Sequence, residues 1–164
     1  MDLQMVSPNQ KMKLSNTVCD EHEHKDVMKF SKWNEEYGYF NTWTPNLKGS
    51  DVDIEAVDGK GRKYHIELKS RWMPSNRYTT YMIEGDKLAD LLIATKNNDT
   101  IPLYINFFED NAVAVWNLKK DLTITKDKRR RENTGVECKE GVKIMVESTV
   151  YYLRLDEAAV TTLQ

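Results

Sequence analysis

The chain has 164 residues, 40% hydrophobic and 30% charged, with a formal charge of −2, a make-up that suits one globular domain with a real core. Such a charge excludes a global basic field for nucleic acid, and the two cysteines, Cys19 and Cys138, exclude a disulfide framework and suit a reducing cytoplasm. No window is apolar enough to span a bilayer, and the opening MDLQMVSPNQKMKL lacks the apolar run of a signal peptide, so an intracellular protein without membrane contact is expected.

Residues 1–16 are polar and contain Pro8, which reads as an arm preceding a single domain over 17–164. Between Thr17 and Tyr37, the residues Val27, Phe30, Trp33 and Tyr37 recur at helical spacing with no proline or glycine between them. They predict a helix that Gly38 ends. Tyr39–Thr44 reads as a short aromatic strand closed by Pro45, and residues 52–57 and 63–69 as two strands around Asp58-Gly59-Lys60-Gly61. Tyr78–Ile83 extends briefly. Asp86–Lys96 is a second helix with Leu88, Leu91 and Leu92 as its buried stripe, broken by Asn97-Asn98-Asp99. Ile101–Phe108 and Ala112–Leu118 form a hairpin across Glu109-Asp110-Asn111. The remainder holds a basic stretch at 119–131, a loop near 133–135, strand-like segments at 143–146 and 150–155, and a short closing helix over 156–163. The fold class is mixed α/β.

The two strands around Gly59–Gly61 fix their own register. A three-residue loop with glycine in the left-handed position at its end sets Val52 opposite Leu68, Ile54 opposite Ile66 and Ala56 opposite Tyr64. That register gives one clean apolar face, and a slip of one residue would pair apolar with charged side chains throughout. The other face then sets Asp53 opposite Glu67, Asp51 opposite Lys69 and Glu55 opposite His65. Two carboxylates directly opposite each other have β-carbons about 4.5–5.5 Å apart and repel unless a cation lies between them. A hard divalent ion with oxygen ligands resolves the conflict, magnesium commonly using one or two carboxylates plus phosphate oxygens. The competing interpretation is a solvent-facing sheet surface of alternating charges.

Asp53-Ile54-Glu55-Ala56 followed by Ile66-Glu67-Leu68-Lys69-Ser70-Arg71 resembles the PD-(D/E)xK nuclease superfamily, with the nearest likeness to archaeal-type Holliday junction resolvases and small phage or restriction nucleases. The likeness covers residues 20 to 118, leaving a basic extension over 119–164. It implies a restriction endonuclease-like αβββαβ core, a central mixed sheet flanked by helices. It further implies that Asp53 and Glu67 hold a catalytic Mg2+, which Mn2+ can replace, with the backbone carbonyl of Leu68 as a further ligand. Lys69 would orient or deprotonate the attacking water or stabilise charge on the scissile phosphate. Members of this superfamily often add an acid from the first helix, for which Glu23 and Asp26 are the candidates, and a basic residue from the following helix, here Lys87. Val52 stands where the signature has proline, which leaves Asp51 as a rival to Asp53. The register favours Asp53.

Around this centre, Arg71 and Arg77 are placed to grip phosphates. The stretch KKDLTITKDKRRR over 119–131 carries seven basic and two acidic side chains, +5 against −2 overall. Such local asymmetry suits a loop that follows a phosphate backbone, with Lys128, Arg129, Arg130 and Arg131 in contact; a plain solvated loop is the alternative. Glu21-His22-Glu23-His24 is no zinc site, because helical residues two apart face different ways and no further ligands complete a set. Trp72 can stack on a base, and neither cysteine has partners for thiol catalysis. The sequence therefore reads as a Mg2+-dependent DNA endonuclease, structure-directed or of repair or restriction type, acting as a homodimer. The alternative is a non-catalytic nucleic-acid-binding module on the same fold.

Overall fold

The first helix, α1 (Glu21–Tyr37), stops where Gly38 takes a φ of 64°, a left-handed conformation that glycine adopts without a Cβ clash. The Gly38 N–H donates to the Asn34 carbonyl at 2.7 Å. Asn34 then closes the turn with its side chain, accepting from the Phe40 N–H at 2.8 Å and donating to the Phe40 carbonyl at 2.9 Å. The computed structural model describes residues 21–46, 50–96, 99–132 and 145–164. The elements that follow are β1 (Thr42–Pro45), β2 (Ile54–Val57), β3 (Lys63–Arg71), β4 (Thr80–Glu84), α2 (Gly85–Lys96), β5 (Thr100–Phe108), β6 (Ala112–Asn117), β7 (Ile124–Glu132), β8 (Met145–Arg154) and β9 (Ala159–Thr162).

Strands β2 and β3 pair antiparallel with Ile54 opposite Ile66, Glu55 opposite His65 and Ala56 opposite Tyr64, the register that the apolar pattern predicts. Gly61 carries the positive φ of 75° at the end of the connection. The main sheet runs β1-β2-β3-β5-β6-β9, with β3 and β5 parallel and the remaining neighbours antiparallel. Parallel neighbours require a crossover, and residues 72–99 supply it through β4 and α2. With β4 inserted between β3 and α2, the order α1-β1-β2-β3-α2-β5 contains the αβββαβ succession expected from the sequence. The fold is mixed α/β, a central mixed sheet with two helices.

Alternation along β3 separates two cores. Ile66 and Leu68 join Phe30, Trp33, Ile54 and Ile105 under α1. On the opposite side Tyr104 packs with Tyr81, Ile83, Leu88, Trp116 and Leu153 from β4, α2, β6 and β8. Each such fully buried side chain contributes about 1.5–3 kcal/mol of hydrophobic stabilisation, so both cores hold the sheet firmly. Glu67 is the ladder partner of Tyr104, so it points into the second side, where α2 and the smaller sheet β4-β8-β7 cover it. Strand β9 ties back to α1: the Trp33 indole N–H donates to Thr161 Oγ1 at 2.9 Å and the Tyr37 hydroxyl to the Thr162 carbonyl at 2.6 Å.

Several elements differ from their sequence reading. Strand β2 begins only at Ile54, so the expected pairs Val52–Leu68, Asp53–Glu67 and Asp51–Lys69 are not ladder partners. Asn46 intervenes, its N–H donating to the Asp53 carbonyl at 2.8 Å and its side-chain amide to the Val52 carbonyl at 3.1 Å. Leu92 is 42% exposed, so the buried stripe of α2 is Leu88 and Leu91 alone. The basic segment is a strand, not a loop, and the two strand-like segments after it are one long β8. The expected closing helix is one 3-10 turn, Leu155–Glu157, followed by β9. There the β-branched run Val160-Thr161-Thr162 finds the open edge of β6, and pairing overrides the weak helical pattern. The arm at 1–16, residues 17–20 of the first helix, the loop at 133–135 and residues 143–144 lie outside the described residues. Among the described residues, no helix is long and apolar enough to cross a membrane.

Candidate active site

Strand β3 carries Glu67 into the second core, where it is only 6% exposed. Its Oε1 lies 3.4 Å from the Lys87 ammonium, and its buried Oε2 has no hydrogen-bond partner among the described residues. Burial pushes the carboxyl up to about 8, and the negative charge of Asp53 pushes the same way, with Lys87 and Lys69 opposing. A buried polar atom left without a partner costs about 1–3 kcal/mol, so this oxygen is expensive to keep as it stands.

Asp53 enters from the segment before β2. Its N–H donates to the Ile66 carbonyl at 3.0 Å, and its Oδ2 accepts the Leu68 N–H at 2.8 Å. The Asp53 carboxylate is thereby fixed against the Glu67–Leu68 peptide, while the Leu68 side chain stays in the α1 core. Lys69 follows on the Glu67 side of the sheet with its side chain exposed. Lys87 comes from the first turn of α2. Burial works against its charge, but Glu67 and Asp53 outweigh that and hold the ammonium above the ordinary lysine range.

Two fixed carboxylates, one with an unpartnered buried oxygen, fit a hard divalent cation of the magnesium class. The Leu68 carbonyl, expected as a further ligand, belongs to the residue whose N–H holds Asp53. Among the described residues no group of three or more histidine, cysteine, aspartate or glutamate side chains is assembled, so water and phosphate oxygens would have to fill the remaining positions.

The other sequence-chosen residues are dispersed. Asp26 accepts a short hydrogen bond from the Ser70 hydroxyl, which in turn receives the Lys29 ammonium at 2.6 Å; Ser70 follows the Leu68 side of β3. The side chains of Glu23 and Arg131, and those of Glu21 and His22, lie outside what the structure describes. Arg71 is engaged within the protein. Its Nε donates to Asn106 Oδ1 at 2.5 Å, and its Nη2 donates to the Tyr104 hydroxyl at 2.9 Å and to the Met82 carbonyl. It thus fastens β3 to β5 and β4. Arg77 sits in a 3-10 turn, Ser75–Arg77, beside the Tyr78 ring. Lys128 pairs with Glu147 at 3.0 Å, Arg129 lies 5.5 Å from the centre of the Tyr152 ring, and Arg130 is exposed. Trp72 is 74% exposed, with the Lys29 ammonium 5.7 Å from its ring centre.

Sequence reasoning missed Tyr104 and Asn106, which hold Arg71. Burial pushes the Tyr104 hydroxyl up to about 12, so it remains a neutral donor, to the Met82 carbonyl at 3.0 Å. The signal was present: Asn106 is the one amide inside the otherwise apolar strand TIPLYINFF, and buried polar groups in such runs need partners.

No family model matches the chain, and no curated protein matches it. Among solved structures, the fold is similar to a Holliday junction resolvase from the archaeal hyperthermophile Archaeoglobus fulgidus, at 14% sequence identity and a TM-score of 0.46, over 58% of this chain and 74% of that one.

Proposed function

We propose that the protein is a Mg2+-dependent endonuclease of the PD-(D/E)xK type that hydrolyses phosphodiester bonds in DNA, structure-directed and acting as a homodimer inside the cell. The observation that carries this reading is Glu67, a buried carboxylate with one unpartnered oxygen, held beside the fixed carboxylate of Asp53. A divalent cation bound there would supply activation of water and neutralisation of charge on the phosphate. The residues of the chain provide the rest. Asp53 and Glu67 are oriented before any ligand arrives, Asp53 by the Leu68 N–H and Glu67 by its burial beside Lys87. The exposed Lys69 ammonium, one residue past Leu68, would orient or deprotonate the attacking water or stabilise negative charge on the phosphate. Lys87, 3.4 Å from Glu67, would also offer a cation to a phosphate oxygen. Mn2+ should substitute for Mg2+. Two-fold assembly of one-site subunits would place a second site for the opposite strand.

The binding-module reading draws on one feature, the Lys87 ammonium already beside Glu67. Cleavage of labelled four-way junction, flap, linear duplex and single-stranded DNA decides between the two, run with Mg2+, Mn2+ or chelator. Metal-dependent cutting that disappears in Glu67→Ala and Lys69→Ala is expected, strongest on branched DNA. Binding without cutting on every substrate would overturn the nuclease assignment.

A further inference from the structure

We propose that the β7–β8 ribbon is a second DNA-binding element that grips the backbone of duplex DNA beside the candidate active site; this rests on the nuclease reading and names the form of its substrate. Strand β4 pairs with β8 only from Val150 to Arg154. Beyond that point β8 pairs, among the described residues, with β7 alone, Lys128 opposite Thr149, Arg129 opposite Ser148 and Arg130 opposite Glu147. The ladder there is a two-stranded ribbon. Every residue of β7 from Ile124 to Arg130 is exposed, so the strand has no apolar face to bury, and packing does not account for its composition. Within ITKDKRRRE basic side chains dominate, in a chain whose overall charge is −2. A charge concentration of this kind on one exposed strand is complementary to a polyanion.

Position ties the ribbon to the site. Lys126, Lys128 and Arg130 share the ribbon face of Tyr151 and Leu153, and Leu153 packs with Tyr81, Ile83 and Tyr104. Tyr104 is the ladder partner of Glu67, so this ribbon face turns to the same side of the main sheet as Glu67 and Lys69. The contact continues through α2: a Cβ at Gly85 would stand 2.8 Å from the Thr149 carbonyl oxygen, and Lys87 lies two residues further along that helix. Glu67 pairs with Lys87 on α2, and the first residue of that helix, Gly85, meets Thr149, the ladder partner of Lys128.

The geometry selects duplex over single strand. Alternate residues on a strand advance about 6.8 Å, so Lys126, Lys128 and Arg130 present a regularly spaced row of cations to a phosphate backbone. A two-stranded ribbon also matches the width of a major groove. This part of the ribbon, residues 126–130 and 145–149, contains no aromatic side chain, whereas single-strand binders rely on aromatic platforms.

The test is binding of uncut DNA in chelator across a salt series, which does not depend on cleavage. Lys126→Thr/Lys128→Thr/Arg130→Thr keeps strand-compatible residues on the proposed face. It should weaken duplex binding on the order of 10- to 100-fold near 0.1 M salt and make the salt slope shallower by about 3, one unit per lost phosphate contact. Glu147→Gln, which removes the facing acid, should strengthen binding and cannot be explained by misfolding. Glu67→Ala should bind with the unchanged slope whether or not the nuclease reading holds, so loss of cutting and loss of ribbon binding are read separately. Unchanged affinity and slope in the triple variant, no gain in Glu147→Gln, or equal effects on single-stranded DNA would each overturn the proposal.

Discussion

Asp58 and Glu67 lie on the same hairpin and are almost equally buried, 8% and 6% exposed, yet they are opposite kinds of carboxylate. Asp58 Oδ1 accepts the Lys60 N–H at 2.9 Å and the Arg62 N–H at 3.0 Å, and Oδ2 accepts Arg62 Nε at 2.7 Å and the Tyr64 hydroxyl at 2.9 Å. Burial raises its pKa, but those donors outweigh burial and hold it at about 2. Glu67 has one cation at 3.4 Å, one oxygen without a partner and a carboxyl at about 8. Burial does not separate these two acids; the partners of their oxygens do.

Substitutions that remove charge but keep shape should drive the two apart. The largest effect expected is in cleavage: Glu67→Gln should lose about 10³-fold or more of the metal-dependent rate, while Asp58→Asn, assayed on the folded fraction, should cut nearly as well as wild type. A gel assay on a four-way junction checks both, and an active Glu67→Gln would abolish the contrast. Stability should move the other way. The folded carboxyl of Glu67 holds a proton at about 8 that the unfolded chain releases near 4.5, so the folded state binds more protons between those values. Stability in chelator should therefore fall as pH rises from about 4.5 to 8, by on the order of a few kcal/mol. Glu67→Gln should flatten that slope in urea titrations, and Mg2+ should restore wild-type stability at pH 8.

Asp58 has the opposite linkage. Its folded pKa lies below the ordinary 3.8, so its contribution is full above that pH and is lost as pH falls through about 2. Asp58→Asn should lower Tm at pH 7 by more than Glu55→Gln, a change at an exposed position of the same hairpin; equal shifts would show that the donors around Asp58 add nothing. Smallest is Gly61→Ala. A Cβ there meets nothing within 4 Å, and only the φ of 75° is strained. The expected loss is about 1 kcal/mol by urea unfolding, with the cleavage rate unchanged.

The hairpin was legible because each residue voted for the same register: three candidate apolar pairs, a loop of fixed length and a glycine at the left-handed position. The acid that precedes β2 was less legible. Asp53 reaches β3 through the Leu68 N–H after Asn46 has ended the ladder, and no periodicity encodes a side chain substituting for a strand. Strand β7 was illegible for a different reason. Period-2 alternation reports a buried face, and β7 has none, so only pairing with β8 reveals it. Arg71 illustrates a third limit: its place beside the signature was readable, but not its capture by Asn106, Tyr104 and Met82, which come from β5 and β4.

Strand β9 has a bearing on the assembly of the molecule. It follows the other described strands in the sequence, yet it covers β6, whose run Ala112–Asn117 carries no charge. Until β9 arrives, β6 is an uncovered, apolar edge, the kind of template on which chains associate with one another. The hydrogen bonds from Trp33 and Tyr37 to Thr161 and Thr162 join elements separated by more than 120 positions, and contacts that distant form late. Pairing of β9 is thus what seals the apolar edge of the main sheet against association with other chains.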